Sequence, residues 1–268
     1  MKRLLVIGGS GFLGYSILES NKEKYECYGT YLNTVLEIEG VKTIRMDLKK
    51  RSEATLLLSA IEPEAIIYAA KLDNESEIVG YLADEAKRLN CRLIFMSSGA
   101  VFDGKKGEYK EDDAINPLTE YGKGKAESEK IIKARLKDYA IIRTSYIYGA
   151  NSRGYDRRIK EMLEAIKSGK PFPRYVNIYK SPIFVDDLAE YIIKVAESDY
   201  SGIIHIAGER VSAYEFFKRV AGMMSISSQL VHKEKAERES DNSLNCSKAK
   251  KLFGFAANRI EDCIATIG

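Results

Sequence analysis

A doubly wound α/β fold built on a parallel sheet is predicted by three features of the chain. Short apolar runs alternate with helical patterns, those runs are almost continuously apolar, and a glycine-spaced loop follows the first of them. Strands covered on both faces need unbroken apolar segments rather than alternating ones. Such runs occur at Arg3–Ile7, Tyr25–Gly29, Thr43–Met46, Ala65–Ala70, Arg92–Met96 and Ala140–Arg143, with helical patterns between most of them, as at Ser52–Ile61 and Glu77–Leu89. After Gly149 the pattern changes. A basic stretch holds a helix pattern at Arg158–Lys167 and then Pro171 and Pro173. Val185–Glu197 reads as an amphipathic helix with Leu188, Tyr191, Ile192 and Val195 on one face, and Gly202–Ala207 as a strand able to rejoin the sheet. Ser212-x-x-Glu215 fits a capping box with Val211 and Phe216 at staple positions, and a short helix is expected around Ser247–Phe253.

Composition narrows the function classes. The chain has 268 residues, 45% apolar, enough for one large domain or a domain plus a small lobe. A net charge of +3 is too weak to argue for nucleic acid or an anionic membrane as partner. The apolar run near the start is broken by Gly8 and Gly9, too early for a secretion signal, and no stretch approaches the roughly 20 apolar residues of a membrane span. A soluble cytoplasmic protein is expected. Cys27, Cys91, Cys246 and Cys263 form no C-x-x-C pair, so free thiols are expected rather than a zinc site or disulfides, and no metal is expected. Of the two histidines, His205 sits inside an apolar run and reads as structural.

The first run leads into Gly8-Gly9-Ser10-Gly11-Phe12-Leu13-Gly14, which opens a helix pattern. Glycine is needed where a tight turn brings backbone against a pyrophosphate, and the amides and dipole of the following helix favour the negative charge. Position after a strand at the start of an alternating α/β chain is the context that makes this a Rossmann dinucleotide loop. At the end of the second strand stand Thr30, Tyr31, Leu32 and Asn33. No carboxylate is there to repel a 2′-phosphate and no arginine to attract one. NADP is the expected cofactor, with NAD left open.

Tyr121 and Lys125 share a helix face at a spacing of four. An ammonium beside a phenol lowers its pKa from near 10, so the pair can move a proton to or from a substrate oxygen. Tyr214 and Lys218 repeat the spacing, but in a helix where Tyr214 and Phe217 are expected to pack into the core. Tyr121 is preferred because the run Arg92–Met96 leads into Ser97 and Ser98, a hydroxyl at the strand end where open α/β sheets bind ligands. Arg153, Arg157, Arg158 and Lys160 either attract a substrate diphosphate or form a solvated helix face.

Together GGSGFLG (8–14), GTYLN (29–33), VFDG (101–104), NPLTEYGKGK (116–125), RTSYIYG (143–149) and SPIFVDDLA (181–189) resemble the extended short-chain dehydrogenase/reductases, and among them the dTDP-4-dehydrorhamnose reductases. The resemblance implies an NAD(P)-binding Rossmann domain at residues 1–149 and 182–207, and a small C-terminal substrate-binding lobe at 150–181 and 208–268. It implies that Gly8, Ser10, Gly11, Phe12, Leu13 and Gly14 hold the pyrophosphate, that Asp47 and Leu48 meet the adenine, and that Thr30, Ala69 and Ala70 line the cofactor groove. Tyr121 would be the proton donor, Lys125 would hold the nicotinamide ribose and Ser98 would position the carbonyl. Ser98, Tyr146 and Arg238 would contact a nucleotide-sugar substrate. The implied activity is NADP-dependent reduction of a keto group on a nucleotide-linked sugar. Epimerisation or dehydration of such a sugar uses the same machinery, and a regulatory subunit like that of methionine adenosyltransferase keeps the fold without turnover. Oligomeric state, a homodimer included, stays open. Departures from the family lie on the substrate side: Gly99-Ala100 replace an acid and an aromatic, Tyr68 replaces an asparagine, and the segment from Lys71 to Leu89 is short.

Overall fold

The computed structural model describes residues 2–72 and 74–265. Its main feature is a seven-stranded parallel sheet. In chain order the elements that build it are β1 (Arg3–Ile7), α1 (Phe12–Asn21), β2 (Glu26–Tyr31), β3 (Lys42–Arg45), α2 (Arg51–Ile61), β4 (Ala65–Tyr68), α3 (Glu75–Leu89), β5 (Arg92–Ser98), α4 (Glu120–Arg135) and β6 (Tyr139–Thr144). The strand Gly202–His205 closes the sheet, whose order across is Gly202–His205, β6, β5, β4, β1, β2, β3. The order reverses between β1 and β4, the switch point at which doubly wound sheets bind ligands.

The expected runs and the observed strands agree in number and place, with small shifts. β2 continues to Tyr31, two residues past the expected Gly29, because Thr30 and Tyr31 stay in register with Ile44 and Arg45 of β3. β4 stops at Tyr68, so Ala69 and Ala70 leave the sheet as a loop. One core face packs Leu5, Ile7, Ile66, Tyr68, Leu93 and Phe95 against Leu58, Ile78, Leu82 and Ile132.

The chain divides into two compact units. The first comprises 1–98, 119–142 and 189–204, and the second 99–118, 143–188 and 205–268. The segment 99–118 groups with the second unit, whereas the resemblance implied one domain over residues 1–149. The reason is its packing: Phe102 stacks on Tyr109 with centroids 4.1 Å apart, and Phe102 meets the His205 ring edge-on. The second unit has its own core of Tyr148, Ile159, Met162, Phe172, Phe216, Phe217 and Val220. It holds α5 (Arg157–Lys167), the start of α6 (Val185–Glu197) and α7 (Ala213–Met223), with strands of two to four residues. Ser212 caps α7 by accepting from Glu215 N at 3.1 Å, and the staple residues Val211 and Phe216 are both buried. Phe217 is buried and Tyr214 half-buried against this core, which accounts for the second Tyr-x-x-x-Lys match as packing. Among the described residues no helix is long and apolar enough to cross a membrane.

Candidate functional site

The glycine loop and the Tyr–Lys pair both lie in the first unit. Gly8 adopts φ +87°, and a side chain there would meet the Ala70 backbone at 2.8 Å. A Cβ on Gly14 would come within 2.2 Å of the Gly8 carbonyl, so α1 can start this close to the loop only with glycine at that position. Gly11 is the N-cap of α1 and provides no side-chain cap, leaving the helix start to backbone donors, as an anion cradle requires. Beside the loop is a hollow of about 390 Å³ lined by Gly8, Ser10, Gly11, Thr30, Asp47, Leu48, Ala69 and Ala70, together with Leu32, Asn33 and Lys49. Phe12, Leu13 and Gly14 form the first turn of α1 behind it, where Leu13 and Gly14 are buried. The residue types fit a dinucleotide: a cradle closed to side chains, a helix amino terminus, and an apolar slot at Leu48. Thr30 has a second task, since its hydroxyl accepts from Gly8 N at 3.2 Å and ties the loop to β2.

A cation is present where residues 30–33 supply none. β3 brings Arg45 beside Tyr31, and Arg45 Nε donates to the Leu32 carbonyl at 3.2 Å. Arg45 is exposed at the rim of the hollow's Leu32–Asn33 wall. The sequence of β2 carries no sign of it, because it arrives on the neighbouring strand.

A second hollow of about 430 Å³ is lined by Glu75, Glu120, Tyr121 and Lys123, and shares Lys71 and Leu72 with the first. Thr119 caps α4 by accepting from Gly122 N at 3.1 Å, which places Tyr121 in the first turn and Lys125 one turn on. Tyr121 is hydrogen-bonded to Ser98 at the end of β5. Lys125 is 3% exposed, its Nζ donates to Glu75 Oε1 and to the Met96 carbonyl, each at 2.8 Å, and it lies 5.6 Å from the Tyr121 ring centre. The structure thus brings Ser98, Tyr121 and Lys125 together within one unit.

The electrostatics differ from expectation. Burial pushes the Tyr121 phenol above its ordinary pKa, the Ser98 hydrogen bond lowers it, and the Glu75 carboxylate raises it. With 41% of the residue exposed, solvent limits the burial contribution. The net direction is upward, opposite to the depression expected from Lys125, whose ammonium is engaged by Glu75. Burial lowers the Lys125 pKa while Glu75 raises it, and burial raises that of Glu75 while Lys125 lowers it. Removing one partner of such a buried ion pair generally costs about 3–5 kcal/mol. Glu75 had no signal in the sequence, since it lies 50 residues from Lys125 in the short segment before α3.

The second unit holds a different cluster. The Arg158 guanidinium lies 4.4 Å from the Tyr146 ring centre, and that of Arg174 lies 3.4 Å from Phe172 and 4.8 Å from Phe217. Burial lowers the pKa of Arg174 and of Lys180, and the Arg158 charge lowers both further. Carboxylates oppose these effects, Glu161 and Glu234 on Arg174 and Asp241 on Lys180. Of the four basic residues expected around α5, Arg158 joins this cluster, while Arg157 pairs with Glu161 at the surface. Tyr146 is anchored: its hydroxyl donates to Asp156 Oδ1 at 2.7 Å, and that carboxylate caps α5. Arg238 is exposed on the segment after Val231–Glu234. Arg174 and Lys180 were missed because they stand on short strands without a motif.

A third hollow of about 460 Å³ lies at the amino-terminal ends of the strands, lined by Arg3, Glu64, Arg92, Asp138 and Glu197. There Arg92 pairs with Asp138, and Glu197 pairs with Lys24 while accepting from the Tyr25 hydroxyl; open α/β sheets bind ligands at the opposite end.

Comparison with known proteins places these features. The family described as RmlD substrate binding domain matches residues 1–267. A dTDP-4-dehydrorhamnose reductase of Aggregatibacter actinomycetemcomitans is 30% identical over 238 residues, covering 81% of this chain and 77% of its own. The methionine adenosyltransferase 2 subunit beta of Danio rerio is 24% identical and covers 94% of this chain and 85% of its own. Among solved structures, the dTDP-4-dehydrorhamnose reductase of Bacillus anthracis in complex with NADP superposes with a TM-score of 0.83 at 22% identity, over all of this chain and 98% of that one.

Proposed function

The chain belongs to the RmlD substrate binding domain family, and from that membership we propose that it is an NADP(H)-dependent reductase of a keto group on a nucleotide-linked sugar. The observation that carries this reading is the joining of Ser98, Tyr121 and Lys125 beside a hollow that shares Lys71 and Leu72 with the one at the glycine loop. A bound nicotinamide would supply the hydride. Ser98 positions the carbonyl oxygen, and Tyr121 gives it a proton. The phenol holds its proton at neutral pH, the form a proton donor needs.

The test is absorbance at 340 nm with purified protein, NADPH and a dTDP-4-keto-6-deoxy sugar. Turnover on the order of 1–10³ s⁻¹ supports the reading. A second reading, a nucleotide-binding subunit without turnover, is favoured by the methionine adenosyltransferase relative, which spans more of the chain than the reductase does. Tight NADPH binding with no oxidation on dTDP-, UDP- or GDP-linked keto sugars selects it.

Arg45 makes NADP the preferred cofactor in this proposal. Charge-assisted hydrogen bonds are worth about 1.5–3 kcal/mol, so Arg45→Ala should weaken NADPH binding roughly tenfold or more and leave NADH binding nearly unchanged. Calorimetric titration with both cofactors checks this, and equal losses for the two would remove Arg45 from the 2′-phosphate site.

A further inference from the structure

We propose that Glu75 is a positioning residue for the Tyr121–Lys125 pair: its carboxylate holds the Lys125 ammonium against the Met96 carbonyl and sets how much positive charge the phenol experiences. This rests on the reading of Tyr121 and Lys125 as the working pair.

An ammonium has three donors. Glu75 Oε1 and the Met96 carbonyl take two of them at 2.8 Å each, and Lys125 is too buried for bulk water to take the third. Among the described residues the remaining N–H has no partner, and it is the one left for a ligand hydroxyl. With two of its bonds fixed by the protein, the ammonium cannot swing, so Glu75 decides where the third points. Glu75 can do this because it is the first residue of α3, directly after Asn74 in the left-handed conformation at φ 57°, and is itself 7% exposed.

From α4 come Tyr121 and Glu129, the latter accepting from Ser97 Oγ at 2.5 Å. From β4 comes Tyr68, whose ring centre is 6.0 Å from Lys125 Nζ, and from β5 the Phe95 ring at 4.7 Å. Lys71 adds a second ammonium, 5.3 Å from the Tyr121 ring centre. Glu75 faces both lysines and opposes both. Without its charge, the two ammonium groups act on the phenol with Glu129 as the remaining counterion. Tyr121 should then release its proton more readily.

The experiment titrates the protein without cofactor or substrate. Tyrosines carry ¹³C at the ring carbon bearing the hydroxyl, and the Tyr121 resonance is identified by its loss in Tyr121→Phe. In Glu75→Gln, Tyr121 should titrate about one pH unit lower than in the native chain. An unchanged or higher titration in a folded Glu75→Gln protein overturns the proposal, and a lower melting temperature with unchanged titration marks a merely structural residue. If Glu75→Gln does not fold, Glu75→Asp keeps the charge but shortens the reach. Tyr121 should then titrate as in the native chain, while NADPH binding weakens about three- to tenfold because Lys125 is no longer held. Native NADPH affinity in Glu75→Asp overturns the positioning role. Since the titration needs no turnover, a chain that reduces no keto sugar still tests Glu75, and a normal reductase with unmoved Tyr121 rejects Glu75 alone.

Discussion

Replacing Tyr121 by phenylalanine is expected to lower kcat for keto-sugar reduction by about 10²–10⁴-fold while NADPH affinity stays within about threefold of native, the span typical of losing a general acid. The substitution removes one oxygen and keeps the ring. Lys71 and Lys125 therefore retain a ring to lie against, at 5.3 and 5.6 Å, and the Thr119 cap of α4 is untouched. What disappears is the hydroxyl bonded to Ser98, the one proton source the proposed reaction uses. Steady-state kinetics with calorimetric binding of NADPH separates the two effects. Unchanged turnover would remove Tyr121 from the chemistry, and lost cofactor binding would make its role structural.

The second large effect is acid sensitivity from His205 in the second unit. Its ring is fully buried, and burial first, then the nearby Arg143 charge, push its pKa down to about 3. Nδ1 lies 3.0 Å from the Tyr109 carbonyl and Nε2 lies 3.5 Å from Arg143 Nη1, which fits a neutral ring donating from Nδ1 and accepting at Nε2. The unfolded chain takes up a proton near pH 6.5, whereas the folded chain resists until about pH 3. Over that window the unfolded state binds more protons, so the contribution is complete above pH 6.5 and is lost as pH falls. The slope is about 1.4 kcal/mol per pH unit, or roughly 2 kcal/mol between pH 6.5 and 5. Denaturant unfolding at pH 7 and pH 5 should show the native chain losing about that much more than His205→Gln. Equal losses in the two proteins would mean that His205 is charged, or does not titrate, in this range.

The fold was legible because buried parallel strands announce themselves as apolar runs and amphipathic helices by their period: the strand Arg3–Ile7 and the helix Val185–Glu197 both have the expected boundaries. β2 ran past its apolar segment because pairing with β3, not hydrophobicity, decides where Thr30 and Tyr31 go. The glycine loop and Tyr121–Lys125 stood out because their spacing is local. The partners that tune them did not. Glu75 reaches Lys125 across 50 residues, Arg45 arrives on a neighbouring strand, and Arg174 and Lys180 converge with Arg158 from separate elements. The pKa of Tyr121 was misjudged for the same reason, since a sequence shows the ammonium but not the carboxylate that engages it.

The most direct test of Tyr121 as proton donor is a crystal structure of the protein with NADP and a nucleotide-linked sugar. The expected result is pyrophosphate on the Gly8–Gly14 loop and the Tyr121 hydroxyl about 2.6–3.2 Å from the sugar oxygen that is reduced, the reach of a working proton donor. A complex with the cofactor in that loop and the sugar oxygen held elsewhere, with the Tyr121 hydroxyl turned to solvent, would contradict it.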